Sequence, residues 1–418
     1  MAVIWDSLGL RFTEPVRDPL WGNILLPGEF GAVQSSPEFV KLSRILQLGP
    51  AQLVYPGATH TRRAHSLGVF EMSRRTLAAV AERDGLDFVT AAGARSFLMA
   101  ALCHDLGHFP YAHSLKELPL ERHEALTARI VLGPLRGAVE RSGADPAMVA
   151  AIVDGELPAA DAETRLFRSL LSGVLDPDKL DYLNRDAWAC GVPYGVQDVD
   201  FILRHVGLDA DGRPGMHERG VMAVEGVLFS KYQMYRAVYW HRSVRAATAM
   251  IKKAVMGALG SGAASPADLY GLDDAGFYRL MDDPGRDPDG LIGSVFRGAL
   301  FRPCLELPFD PDSASHRRAA DLATRPAMEE AIAGALGSSG SRPAVVVDVP
   351  EPISFESDLP VIGRGAPFSR VADVFRPEVV SSFVRSLRVL RVFCDVGTDD
   401  EAAAKAARAA ASLLGPSR

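Results

Sequence analysis

Between Ala94 and His108 the chain reads ARSFLMAALCHDLGH, a stretch with helical capacity that from Phe97 on is apolar on every side until it meets a histidine and an aspartate. A helix without a polar face has to be surrounded, so this segment demands a shell of other helices. The two residues near its end sharpen that demand. A charged Asp105 beside His104 is costly to bury unless something compensates it. Two arrangements do so: a hydrogen-bonded pair that serves packing, or a divalent cation that takes both side chains as ligands.

Histidine usage points to the same place. Six of the ten histidines (His60, His65, His104, His108, His113 and His123) fall between residues 60 and 123, where an even scatter would put one or two. Histidine is the commonest metal ligand and titrates nearest neutral pH, so chemistry is expected in this window. His108 lies one helical turn beyond His104 and faces the same way by spacing, as a donor behind the site or as a packing group.

The rest of the chain supplies the expected shell. PEFVKLSRILQL predicts a helix over 37–48, and a second helix opens at His65. Further helices are predicted over 121–135, 145–153, 163–190 with an interruption at Pro177, 200–206 and 229–259. The DG turn in GLDADGRPGMH predicts a small hairpin. Towards the end, PAVVVDVP and SLRVLRVFCDV read as strands, GSSGSRP (337–343) as a flexible joint and EAAAKAARAAASLL as a helix. The expected fold class is therefore mainly α. A helical body reaches to about residue 330, with its site-bearing core at about 37–205, and a small α+β region covers 331–418.

Composition narrows the function classes. Forty-five basic against fifty-two acidic residues give a net charge of −7, which does not suit a protein that coats nucleic acid. Cys103, Cys190, Cys304 and Cys394 form no CxxC pair, so neither a disulfide framework nor a zinc ribbon is expected. The start, MAVIWDSLGLRF, does not read as a signal peptide, and no run suits a membrane span. A cytoplasmic protein is the expectation.

Several motifs in order carry a resemblance. The runs ILQLGPAQLVYPGATHTRRAHSLGVFEMSRR, LMAALCHDLGHFPYAHSLKE and SGVLDPDKLDYLNRDAWACGVPYG place one histidine, then His-Asp, then a distant aspartate. In this the chain resembles the HD-domain metal-dependent phosphohydrolase superfamily, and within it the deoxynucleoside triphosphate triphosphohydrolase branch. The likeness covers roughly residues 17–205, fading by about 260. It implies an HD-domain helical bundle in which His65, His104, Asp105 and Asp178 hold one divalent metal ion. Manganese, iron, magnesium, zinc and nickel are all admissible with such ligands.

The implied reaction is hydrolysis of a deoxynucleoside triphosphate to deoxynucleoside and triphosphate. In it His123 protonates the leaving 5′-oxygen, and His113 and Glu124 stand beside it as further catalytic candidates. Arg62 and Lys179 match phosphate-binding positions, Gln47 and Asp186 match readers of the sugar 3′-hydroxyl, and Tyr182 matches a residue beneath the sugar. Read without the resemblance, Tyr182 is a core tyrosine and Asp186 pairs with Arg185 on a helix surface. Lys231 or Arg236 could add to the phosphate contacts. One of Phe229, Tyr232, Tyr235 and Tyr239, otherwise a core stripe, could wall a base pocket. Relatives of this kind assemble as homo-oligomers with effector sites at subunit junctions; the resemblance implies a homo-oligomer here and leaves a nucleotide effector open.

One position departs from the pattern. The mammalian enzyme of the branch has an aspartate three residues past the second histidine, supporting the catalytic one; here that position is Lys116, followed by Glu117. Lys116 would lower the basicity of His123, while Glu117 could replace the missing carboxylate. Two alternatives follow: an HD enzyme acting on another nucleotide or phosphoester, or a nucleotide-binding sensor without turnover.

Overall fold

The apolar helix does form, over Ala91–Cys103, and every residue from Ser96 to Cys103 is buried. Thr90 starts it by accepting a hydrogen bond from the Gly93 N–H at 2.9 Å. The covering shell comes from the long Arg62–Asp84 helix on one side and Pro146–Val153 on another. Pro177–Cys190 packs in turn against Arg62–Asp84. This computed structural model describes residues 2–336, 344–353, 355, 359–372 and 374–415. The expected joint at 337–343 lies outside them. Among the described residues the chain is mainly helical, and no helix is long and apolar enough to cross a membrane.

Three predicted helices are altered, each near the cleft described below. The central helix stops at Cys103 instead of running to His108, leaving His104 as its C-cap and Asp105 in the following turn. The buried Lys41 Nζ takes the carbonyls of Leu106 (3.1 Å) and His108 (2.9 Å), which satisfies backbone that a longer helix would have used. The helix predicted over 37–48 ends at Lys41 and tightens into a short turn at Leu42–Arg44, so Gln47 lies in a turn just past the Leu46–Thr61 bridge. The helix predicted over 229–259 instead runs Val221–Met234, widens into a π-helical turn at Tyr235–Tyr239, and restarts as Arg242–Ser261.

Sheets are few. Phe12–Asp18 and Gly22–Pro27 form an antiparallel hairpin that the sequence reading did not pick out. The predicted DG hairpin forms from Val206–Leu208 and Pro214–His217, and Pro214–His217 pairs in parallel with Pro360–Ile362. Arg302–Pro308, Val389–Cys394 and Val345–Asp348 make an antiparallel three-stranded sheet in that order. Its first strand lies upstream of the expected division at 331, and its prolines hid it. At a sheet edge such prolines remove no ladder bond that is needed. Phe355, Val361 and Phe368 enter the same apolar core as Phe70 and Phe97, so the C-terminal stretch is woven into the body.

Candidate active site

The twelve residues that the resemblance assigns to metal, catalysis and substrate all line one cleft, with a cavity volume of about 550 Å³. Four elements deliver them. Arg62 and His65 are on the first turn of Arg62–Asp84. His104 and Asp105 follow Ala91–Cys103. His123 and Glu124 open His123–Leu132, and Asp178, Lys179, Tyr182 and Asp186 lie along Pro177–Cys190. Gln47 and His113 come from connecting segments. Gly107 permits this convergence: a side chain there would overlap the His123 carbonyl.

His65 is the most constrained member. Its Nε2 lies 2.9 Å from Asp178 Oδ1, and its Nδ1–H donates to Asp181 Oδ2 at 2.8 Å. Burial alone would lower its basicity, but the two carboxylates outweigh burial and raise it to about 10. Asp181 also accepts two bonds from Arg185, each 2.8 Å, and one from the Trp21 indole. Arg185 continues to Asp18 Oδ2 at 2.8 Å. Arg185 therefore pairs with Asp181 and Asp18, and the expected alternative of an Arg185–Asp186 surface pair does not form. Sequence reasoning missed Asp181, although its place three residues after Asp178 puts both on one helix face.

The turn after the central helix is equally fixed. His104 Nδ1–H donates to the Ala101 carbonyl at 2.8 Å, and its buried Nε2 has no hydrogen-bond partner. Arg62 NH1 donates to Asp105 Oδ2 at 2.8 Å, and His108 Nε2 lies 3.1 Å from Asp105 Oδ1. Burial would raise the Asp105 carboxyl, but His108, His104 and Arg62 hold it well below the usual carboxylate range. Burial and the Arg62 guanidinium keep His108 well below ordinary imidazole basicity.

A trio of imidazoles forms the next wall. His108 stacks on His123 with centroids 3.9 Å apart, and His113 meets His123 edge-on at 5.2 Å. His123 Nδ1 lies 3.4 Å from Glu124 Oε2. Burial lowers the His123 pKa; Glu124 and Asp105 pull it up, while Arg62 and His104 push it down. Neither residue at the departing position supports His123. Lys116 pairs with Glu351 at 2.8 Å, and Glu117 pairs with Lys252. The carboxylate beside the ring is Glu124.

The other expected substrate contacts differ in how committed they are. Gln47 Oε1 is buried without a hydrogen-bond partner. Lys179 Nζ bonds the Gly173 carbonyl (2.9 Å) and Asp176 (2.5 Å). Asp186 is held by His60 Nε2 at 2.8 Å and by the Tyr239 hydroxyl at 2.7 Å. Tyr182 meets Tyr239 edge-on at 6.5 Å, and Tyr235, Tyr239 and Trp240 line the same cleft. Phe229 is instead exposed, and Tyr232 stacks on Phe383. Lys231 reaches the cleft, whereas the exposed Arg236 bonds the Tyr232 hydroxyl. Arg245, Lys252 and Glu351 are cleft residues that no motif had marked.

These donors fit a divalent cation. Ligand atoms of His65, His104 and Asp178 lie within 4.8 Å of one another, as do those of His108, His113 and His123. In the first group the unpartnered His104 Nε2 and the tautomer set on His65 by Asp181 are what a metal centre needs. Asp105 Oδ1 is 3.4 Å from His104 Nε2, with its other oxygen neutralised by Arg62.

Residues 198–414 match the family described as the HD associated region. The uncharacterized protein YwfO of Bacillus subtilis is 37% identical over 216 residues, 52% of this chain and 49% of that one. The deoxynucleoside triphosphate triphosphohydrolase SAMHD1 of Homo sapiens is 24% identical over 307 residues, 64% of this chain and 49% of that one. The chain thus spans about half the length of these curated relatives. The solved phosphohydrolase of Bacteroides thetaiotaomicron shares the fold, with a TM-score of 0.69 at 21% identity, over 91% of this chain and 99% of that one. Since the family match takes in more than half of the residues, the chain belongs to the HD-domain phosphohydrolase superfamily, in the family that carries the HD associated region.

Proposed function

We propose that this protein hydrolyses deoxynucleoside triphosphates to deoxynucleoside and intact triphosphate, using one divalent metal ion held by His65, His104, Asp105 and Asp178. The observation that carries the reading is the convergence of those four side chains with His123, Gln47 and Tyr182 on one cleft of about 550 Å³. The likeness to the human deoxynucleoside triphosphate triphosphohydrolase adds weight. The ion, when bound, would polarise a phosphoryl oxygen and neutralise charge gathering at phosphorus.

The chain's own groups do the rest. Water attack at the α-phosphorus breaks the bond to the 5′-oxygen, which leaves needing a proton. His123 supplies it as an imidazolium, a form that burial disfavours and the Glu124 carboxylate supports. His113 stands 5.2 Å from the His123 ring as the neighbouring imidazole. Gln47 Oε1 offers an unused acceptor to the sugar 3′-hydroxyl, and Asp186, shared with His60 and Tyr239, closes that end of the site. The Tyr182 ring gives the sugar an apolar floor. Arg62 acts through Asp105, to which it is bound, as well as through its charge on the phosphates.

Incubation with each deoxynucleoside triphosphate and Mn²⁺ tests the reading. Free triphosphate is the expected product. Phosphate or a monophosphate would assign the centre to another phosphoester, and binding without turnover would make it a sensor. A homo-oligomer and a nucleotide effector belong to the same proposal, and light scattering with and without nucleotide checks them.

A further inference from the structure

The cations around the cleft differ in how easily they can be taken by an incoming anion. Arg62 is committed to Asp105, and Lys179 to Asp176 and a backbone carbonyl. Arg245 binds Asp348 at 2.9 Å, and both are buried. Lys252 binds Glu117, with side chains 8% and 18% exposed. Separating pairs like these strands a charge away from water and is strongly unfavourable. Lys116 is different. Its Nζ lies 2.8 Å from Glu351, but the two side chains are 59% and 27% exposed. A pair so open to water is weak and exchanges readily.

The segment that brings Glu351 to the cleft is anchored by the residues just before it. Asp348 is tied to Arg245, and the Pro350 carbonyl accepts from Arg388 Nε at 2.6 Å. Pro352 and Ile353 line the same cleft. The carboxylate is therefore presented by anchored backbone opposite a cleft cation whose release strands nothing.

We infer that Lys116 contacts the phosphates of the substrate and that Glu351 is its exchangeable competitor. The inference rests on reading the cleft as a phosphoanion site and is independent of which nucleoside is attached. A phosphate that takes Lys116 sends Glu351 to solvent, where it stays hydrated. A triphosphate, with about four negative charges, displaces one carboxylate more readily than a monophosphate does. The pair thus favours polyphosphate ligands over singly phosphorylated ones. The lysine at this departing position becomes a substrate contact, and Glu124 stands by His123 in place of the missing aspartate.

Calorimetric titration of the full chain with inorganic triphosphate, and separately with inorganic phosphate, tests this without requiring turnover. Glu351→Gln is expected to bind triphosphate about two- to fivefold tighter, the range an exposed ion pair supplies. The same variant should narrow the preference for triphosphate over phosphate. Lys116→Ala should bind triphosphate more weakly, and adding Glu351→Gln to Lys116→Ala should change nothing further. Raising the ionic strength should erase the gain in Glu351→Gln. Equal or weaker binding by Glu351→Gln, the same gain in the Lys116→Ala background, or no measurable triphosphate binding by any form would overturn the inference. If triphosphate binds as expected while no deoxynucleoside triphosphate is cleaved, the proposed reaction fails and this assignment stands.

Discussion

His65 and Asp181 meet at 2.8 Å between two different helices, and that bond decides which nitrogen of His65 faces the cleft. With Nδ1–H donated to Asp181, Nε2 is left to point at Asp178 and at any ion bound there. Asp181 is itself fixed by Arg185 and Trp21, and Arg185 by Asp18, so an ordering network runs from the N-terminal hairpin to the candidate metal centre.

Asp181→Asn keeps the shape of this carboxylate and removes its charge. The variant should fold, and its metal affinity should fall by about 10–100-fold, as expected when the group orienting a ligand histidine is lost. Titration of metal-free protein with Mn²⁺ measures this. Unchanged affinity would mean that packing alone orients His65.

Gly68 faces Asp181 and Arg185 on the adjoining helix, and a Cβ there would overlap the Asp181 carboxylate. The carboxylate is pinned by three partners and cannot swing aside. Gly68→Ala should therefore destabilise the fold by about 1–3 kcal/mol or more, despite the better helix propensity of alanine. Urea unfolding of the two proteins gives the difference, and a stabilised variant would show that the two helices separate freely.

Much of this was legible beforehand, for identifiable reasons. The uniformly apolar 97–103 run could only be a surrounded helix, and the motif order supplied twelve residues that all line one cleft. What the sequence hid are places where tertiary contacts override local pattern. Nothing local says that Lys41 will take the carbonyls of Leu106 and His108, and so the helix was read on to His108. The strand Arg302–Pro308 was masked by prolines that only an edge position tolerates. Lys116 was expected to act on His123, whereas it is occupied by Glu351, a residue 235 positions further along. Pairings over such separations leave no mark in local composition.

Asp105→Ala should lose bound metal and leave Arg62 buried without its carboxylate. Removing one partner of a buried ion pair costs about 3–5 kcal/mol, so the thermal midpoint should drop as well. Asp105→Asn, which keeps the volume and a hydrogen-bond acceptor for Arg62, should lose the metal with a smaller drop. Metal analysis and thermal unfolding of both variants separate the two effects. Asp105→Ala protein that retains stoichiometric metal would move the centre elsewhere, with His108, His113 and His123 the other group to examine.

The last prediction concerns His123. If it protonates the leaving oxygen, His123→Ala should keep metal and nucleotide binding while turnover falls by about 10²–10⁴-fold. The pH profile adds a sign. Burial, with Arg62 and His104, holds this imidazole below its ordinary value, against the pull of Glu124 and Asp105. The imidazolium is the active form, so kcat should be highest at acidic pH and fall as pH rises through a value below about 6.5. Glu124→Gln removes the nearest carboxylate, 3.4 Å from Nδ1, and should move that limb to still lower pH. Lys116→Asp should leave the limb nearly where it is, because this side chain is engaged by Glu351 or by the substrate phosphates and does not support His123. Turnover at saturating nucleotide from about pH 5 to 9 for the four proteins distinguishes these outcomes. A His123→Ala protein as active as wild type throughout would pass the acid role to His113, the ring that meets His123 edge-on.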